Sequence, residues 1–144
     1  MNKLIASSMV FISLTSVVIG SERSVSIVNQ SSNIQLYSCW QMKAIHGDWQ
    51  SNGVDHNTIY KKGQNIEVDI RSIGEGVQAN LTCEFEEVPG KGAPPVHGYM
   101  QVDINNEGSY LNFLPASGSI STHVLQTAIG SGTSGGHDVF TISE

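Results

Sequence analysis

Val77-Gln-Ala-Asn-Leu-Thr-Cys-Glu-Phe-Glu-Glu87 decides the fold. Its apolar residues Val77, Ala79, Leu81, Cys83 and Phe85 stand at every second position, and Gln78, Asn80, Thr82, Glu84 and Glu86 fill the gaps. A period of two predicts a strand with one face in a core and the other in water. Gly74-Glu-Gly76 before it and Pro89-Gly90 after it supply the turns.

Toward the C-terminus, Pro89–Pro95 is too rich in proline and glycine to hold a ladder and reads as a loop. Val96–Ile104 is the next strand, with Gly98, Met100, Val102 and Ile104 facing one way and His97, Tyr99, Gln101 and Asp103 the other. Asn105–Gly108 is a hairpin turn into Ser109–Leu114. Ser121–Ile129 and His137–Ser143 follow, separated by the Gly-, Ser- and Thr-rich run Gly130–Gly136. Toward the N-terminus, Asn65–Ser72 alternates Ile66, Val68 and Ile70 inward with Glu67, Asp69 and Arg71 outward. Thr58–Tyr60 is a short strand, Ala44–Asn57 an irregular connection, and Ser24–Val28 and Ile34–Met42 the first two strands. Short alternating segments at this spacing predict an all-β protein, a single β-sandwich of about eight or nine mostly antiparallel strands.

Ile34–Met42 holds a conflict. Ile34, Leu36, Trp40 and Met42 share one face, and Tyr37 and Cys39 share the other. For Cys39 to meet the inward-facing Cys83, this strand needs a bulge or burial on both faces.

The first twenty residues differ from the rest. Lys3 precedes the mostly apolar Leu4–Ile19, and Val18-Ile-Gly20 offers small residues before Ser21. This reads as a signal peptide, residues 1–20, with 21–144 as a secreted, extracellular domain. That domain keeps six Lys and Arg against thirteen Asp and Glu, a formal charge of −7. With no basic cluster beyond Lys61-Lys62, nucleic acid is excluded as a partner. In an oxidising compartment Cys39 and Cys83 are expected to pair. Asn29-Gln-Ser31 and Asn80-Leu-Thr82 are glycosylation sequons at Asn29 and Asn80.

Catalytic signals are weak. Gly132-Thr-Ser134-Gly-Gly136 imitates a serine-protease nucleophile segment, but a threonine stands where the acid belongs and no upstream His and Asp complete a triad. The five histidines lack metal-ligand spacing. Glu84, Glu86 and Glu87 carry the carboxylates a glycosidase would use, in the pattern of a solvated strand face. The expectation is therefore a non-enzymatic protein without metal or cofactor. Trp49, Tyr60, Tyr99 and Tyr110 stand near loops or on outward faces, where amphipathic rings suit a lipid headgroup or a sugar.

Several segments resemble one family. His46-Gly-Asp-Trp49, Ile59, Gly63 and Gly74-Glu-Gly-Val77 follow its order of His-Gly-x-Trp, Ile-x-x-Gly and Thr-Glu-Gly-x-Val. Leu111-Asn-Phe-Leu-Pro115-Ala-Ser-Gly-Ser119 and the closing Gly135-Gly-His-Asp-Val-Phe-Thr-Ile142 look like its later strands. The family is the aegerolysin-like proteins, including relatives found with bacterial insecticidal crystal toxins. The resemblance implies a small β-sandwich that binds membrane lipids, often sphingolipids, some members making pores with a larger partner protein. The expected function is thus membrane-lipid binding of a cytolysin-like or virulence-associated kind. A carbohydrate-binding module or lectin is the alternative, and a hydrolase with an unrecognised site the third.

Overall fold

A computed structural model of the protein describes residues 22–46, 48–49, 54–71, 78–90, 92–105, 108–129 and 136–144. Ser134 and the expected signal peptide, residues 1–20, lie outside the described residues. Nine strands are described: β1 (Glu22–Asn29), β2 (Ile34–His46), β3 (Asp48–Trp49), β4 (Asn65–Arg71), β5 (Gln78–Glu87), β6 (Val96–Asn105), β7 (Ser109–Pro115), β8 (His123–Ile129) and β9 (Gly136–Ser143). They form a five-stranded sheet in the order β3-β4-β1-β9-β8 and a four-stranded sheet in the order β2-β5-β6-β7. All pairings are antiparallel except β1 with β9. The chain is an all-β sandwich.

The period-two patterns place the core. Ile66, Val68 and Ile70 of β4 and Val25 and Ile27 of β1 face Leu81, Cys83 and Phe85 of β5 and Met100, Val102 and Ile104 of β6, all buried in one cluster. Gly98 lies where Phe85 and the β7 backbone converge: a Cβ there would stand 2.2 Å from the Leu114 carbonyl oxygen. Only glycine permits that approach.

Two departures from the sequence reading concern β2 and its continuation. Ala44–Asn57 is not wholly irregular, because β2 runs on to His46 and β3 follows at once. Thr58–Tyr60 is not a strand but a single bridge, with Tyr60 and Leu36 exchanging N–H···O bonds of 2.7 and 3.1 Å. That bridge ties one margin of the sandwich. On the opposite margin Gln126 Nε2 donates to the Ser109 carbonyl at 2.7 Å.

Two buried charged groups inside the sandwich have partners. Arg23 of β1 reaches Asp138 of β9 at 2.9 Å, both nearly without solvent contact. The guanidinium lies over Gly136, where a Cβ would stand 2.6 Å from Arg23 Nη1. Glu87 shares the parity of Phe85 and so turns inward, fully buried. Its carboxylate accepts from the Ser121 and Thr122 backbone N–H groups and from both hydroxyls, clamping the β7–β8 connection to the end of β5.

Burial alone would raise the Glu87 pKa, but the hydrogen bonds from Thr122 and Ser121 outweigh it and hold the carboxylate below its ordinary range. A depressed carboxylate stabilises the fold above its unfolded pKa, about 4.3, and that stability is lost as pH falls through the lower folded value. Acid titration of unfolding free energy should therefore fall below about pH 4.5 more steeply in the native protein than in Glu87→Gln. The substitution should cost about 1–3 kcal/mol at neutral pH.

Candidate functional site

The bulge in β2 builds the site. Pairing of β2 with β5 is regular from Ile34 to Tyr37, then shifts before resuming at Trp40 opposite Thr82. Ser38 takes up the slack in the left-handed region, at φ 46°, an uncommon conformation for a residue other than glycine. Of the two solutions to the conflict in this strand, the bulge is the one realised. It turns Cys39 into the core beside Cys83, and the two form a disulfide across 44 residues of chain. The Cys39 carbonyl finds its partner in His56, whose Nδ1–H donates to it at 2.9 Å.

The same inserted residue changes which side chains share a face. Without it Tyr37 and Trp40 would point to opposite sides, as the alternation predicts. With it both stand on the outer face of the four-stranded sheet. On that face one row runs Tyr37, Glu84, Tyr99, Leu114 across β2, β5, β6 and β7, and the next runs Trp40, Thr82, Gln101, Asn112. Trp40 and Tyr99 meet edge to face over β5, their centroids 6.0 Å apart and their planes at 79°. Beneath them Thr82, nominally on the wet face, is only 3% exposed, and its hydroxyl donates to Asn80 Oδ1. A third row brings Met42, Asn80, Asp103 and Tyr110 together by register.

The expected site residues fare differently. Tyr99 and Tyr110 are exposed on this face at 48% and 53%. Tyr60 is a correction: at 5% exposure it is a core residue, its hydroxyl accepting from the Asp55 backbone N–H, because the Leu36 bridge draws it under the sheet margin. Trp49 pairs with Ile70 at the margin of the other sheet, and its side chain lies outside the described residues. Tyr37 and Trp40 went unrecognised as site residues. The signal that could have found them is the need to bring Cys39 to Cys83, which moves Trp40 to the opposite side.

The sequons divide in the same way. Asn29 is 1% exposed, and its Nδ2 donates to the carbonyls of Ile34 and Tyr60. A nitrogen committed to two backbone acceptors inside the fold has no room for a glycan, so the expectation of glycosylation at Asn29 is corrected. Asn80 is partly exposed on the outer face, where its Nδ2 donates to Asp103.

The carboxylates considered for hydrolysis are likewise separated. Glu87 is the buried clamp, and Glu86 accepts from Gln35 Nε2 at 3.1 Å with His97 3.6 Å away. Glu84 stands between Tyr37 and Tyr99 by register, with no cation paired to it among the described residues. Partial burial, then the charges of Glu84 and Glu86, push the Tyr37 phenol above its ordinary pKa, so it stays a neutral donor. Beside Tyr37 a shallow cavity of about 430 Å³ runs along the β2 margin, lined by Gln35, Glu86, His56 and Ile59 among others. Among the described residues no cluster of His, Cys, Asp and Glu could hold a metal ion.

No protein-family model and no curated protein matches the chain. Among solved structures it is similar to the crystal structure of IP-1A from Alcaligenes faecalis, at 12% identity and a TM-score of 0.49, over 88% of this chain and 93% of that one.

Proposed function

We propose that this is a secreted, non-enzymatic, cytolysin-like protein that binds membrane lipid through the outer face of its β2-β5-β6-β7 sheet. One observation carries the reading: Tyr37, Trp40, Tyr99 and Leu114 occupy neighbouring positions on one wet sheet face, with Tyr110 in the row beyond that of Trp40. Large amphipathic rings beside an exposed leucine suit a water–lipid boundary, where the ring is buried and the hydroxyl or indole N–H stays wet. The resemblance to the aegerolysin-like proteins, with their membrane lipids and larger partner proteins, agrees with it. The disulfide is compatible with an extracellular location.

A formal charge of −7 on residues 21–144 repels anionic membranes, so the attraction lies in apolar and headgroup contacts. Binding to zwitterionic vesicles should then persist at high salt, since screening removes only the Coulomb part. Tyr99→Ala should weaken co-sedimentation with such vesicles by about 1–3 kcal/mol while the melting temperature stays close to that of the native protein. The carbohydrate reading rests on a separate observation, the Asn80, Asp103 and Tyr110 row, which would pair hydroxyls beside a stacking ring. Vesicles of phosphatidylcholine, sphingomyelin and sterol, run beside a glycan array, separate the two. Retention on glycans with none on any vesicle would replace the lipid reading by the lectin one.

A further inference from the structure

We propose that Ser24 is a reactive serine, a modification site that takes up the acyl group of an uncharged activated ester, with His137 as its base. The site lies on the outer face of the five-stranded sheet, and nothing in it depends on the lipid reading of the other sheet. Val25 and Ile27 of β1 and Ile66 and Val68 of β4 face the core, so Ser24, Ser26 and Glu67 point outward by alternation. Parallel pairing of β1 with β9 sets His137 beside Ser24, and antiparallel pairing with β4 sets Glu67 beside Ser26. The His137 ring then touches both serines. Ser24 Oγ stands 2.6 Å from Nδ1 and Ser26 Oγ 3.1 Å from Nε2. Ser26 Oγ also donates to Glu67 Oε2 at 2.5 Å.

These contacts fix where the protons are. A hydroxyl has one proton, and Ser26 gives its own to the Glu67 carboxylate, which only accepts. Ser26 can therefore only accept from His137, so the ring proton sits on Nε2. In a neutral ring that leaves Nδ1 as a bare acceptor, and Ser24 donates to it. The result is one chain of hydrogen bonds, from Ser24 through His137 and Ser26 to Glu67. A serine hydroxyl is a weak nucleophile until a base within hydrogen-bond reach takes its proton, a base that a third group holds in place. Here Ser26, only 6% exposed, orients the ring, and Glu67 fixes Ser26. Ser24 itself is half-buried and so open to a small ester.

Ser24 Oγ adds to the ester carbonyl carbon as its proton passes to His137 Nδ1. The carbon–oxygen bond to the leaving group then breaks, and the departing oxygen takes that proton from Nδ1. The products are an alcohol and an acyl-Ser24 ester, with the ring neutral again. Asp69 is the register partner of Ser24, so it and Glu67 border the site and disfavour an anionic acyl group. Arg71, one row away, has Glu22 as its register partner. What forms is a modified chain, and no turnover is required.

The test uses the whole disulfide-bonded chain and p-nitrophenyl acetate, an uncharged activated ester. Acetylation should release one nitrophenolate per chain and leave one acetyl group on the peptide that carries Ser24. Ser24→Ala should lose that label, and His137→Gln should slow its formation about 100-fold. A melting temperature close to that of the native protein shows that each variant is folded. Without any variant, nitrogen NMR of the neutral His137 ring should show the proton on Nε2 and a bare Nδ1. Ser26→Ala removes the acceptor of that proton. It should move part of the population to the Nδ1–H tautomer and slow acetylation about ten-fold. Three results would overturn the site: a native neutral ring protonated on Nδ1, acetyl groups on lysines or the chain terminus alone, or labelling of folded His137→Gln at the native rate.

Discussion

Asp138→Asn is expected to remove about 3–5 kcal/mol of folding stability. Asp138 and Arg23 meet at 2.9 Å with almost no solvent contact. Taking the carboxylate charge away leaves a guanidinium whose desolvation is no longer offset there, and that cost is what makes broken buried pairs so damaging. The site amplifies it. The two residues sit on β9 and β1, the parallel pair joining the middle of the five-stranded sheet, and the guanidinium fits over Gly136 with no spare volume. Natural domains have only about 5–15 kcal/mol to lose. Urea unfolding of the native protein and Asp138→Asn measures the difference. A second variant, Arg23→Met with Asp138→Leu, isolates the cause. If losing the Asp138 charge beside the buried guanidinium is what hurts, removing both charges should recover most of the loss.

Loss of the disulfide should come next, and its effect should reach beyond stability. Replacing Cys39 and Cys83 together by alanine opens a loop of 44 residues, worth about 4 kcal/mol in the chain-entropy description. The bond also holds the β2 bulge, since Cys39 must face inward for the bond to form while Ser38 occupies the left-handed region. Released from that demand, β2 can return to regular alternation, which carries Trp40 off the outer face. The double variant, studied below its own melting temperature, should therefore lose vesicle binding as well as stability. A variant that is less stable but binds normally would separate the disulfide from the site.

Much of the fold was legible because it depends on alternation alone. Ile66, Val68 and Ile70, and Met100, Val102 and Ile104, face the core as their spacing requires. The site was less legible because it depends on where alternation fails. One inserted residue at Ser38 reverses the facing of Cys39, Trp40 and Gln41, and nothing in Tyr37-Ser-Cys-Trp40 marks it except the distant Cys83. Tyr60 misled for a similar reason. A tyrosine in a turn-rich stretch reads as exposed, but its two bonds to Leu36 are long-range and leave no local trace. In Asn29 the sequon is purely local, while the burial of its amide comes from Ile34 and from Tyr60, 31 residues away. Glu87 had the parity of a core residue, and only the Ser121-Thr122 pair explains why a carboxylate can be there.

The proposed function has lipid meeting the outer face of the four-stranded sheet. The chain has two tryptophans, Trp40 on that face and Trp49 at the margin of the other sheet, so fluorescence can separate the alternatives. Trp49→Phe leaves Trp40 as the only indole emitter, and Trp40→Phe leaves Trp49. Each is mixed with phosphatidylcholine vesicles carrying bromine on their acyl chains, which quench an indole that reaches the headgroup–acyl boundary. Strong quenching of Trp40 is expected in the first variant and little of Trp49 in the second. Sedimentation with vesicles while Trp40 stays unquenched and Trp49 is quenched would contradict it.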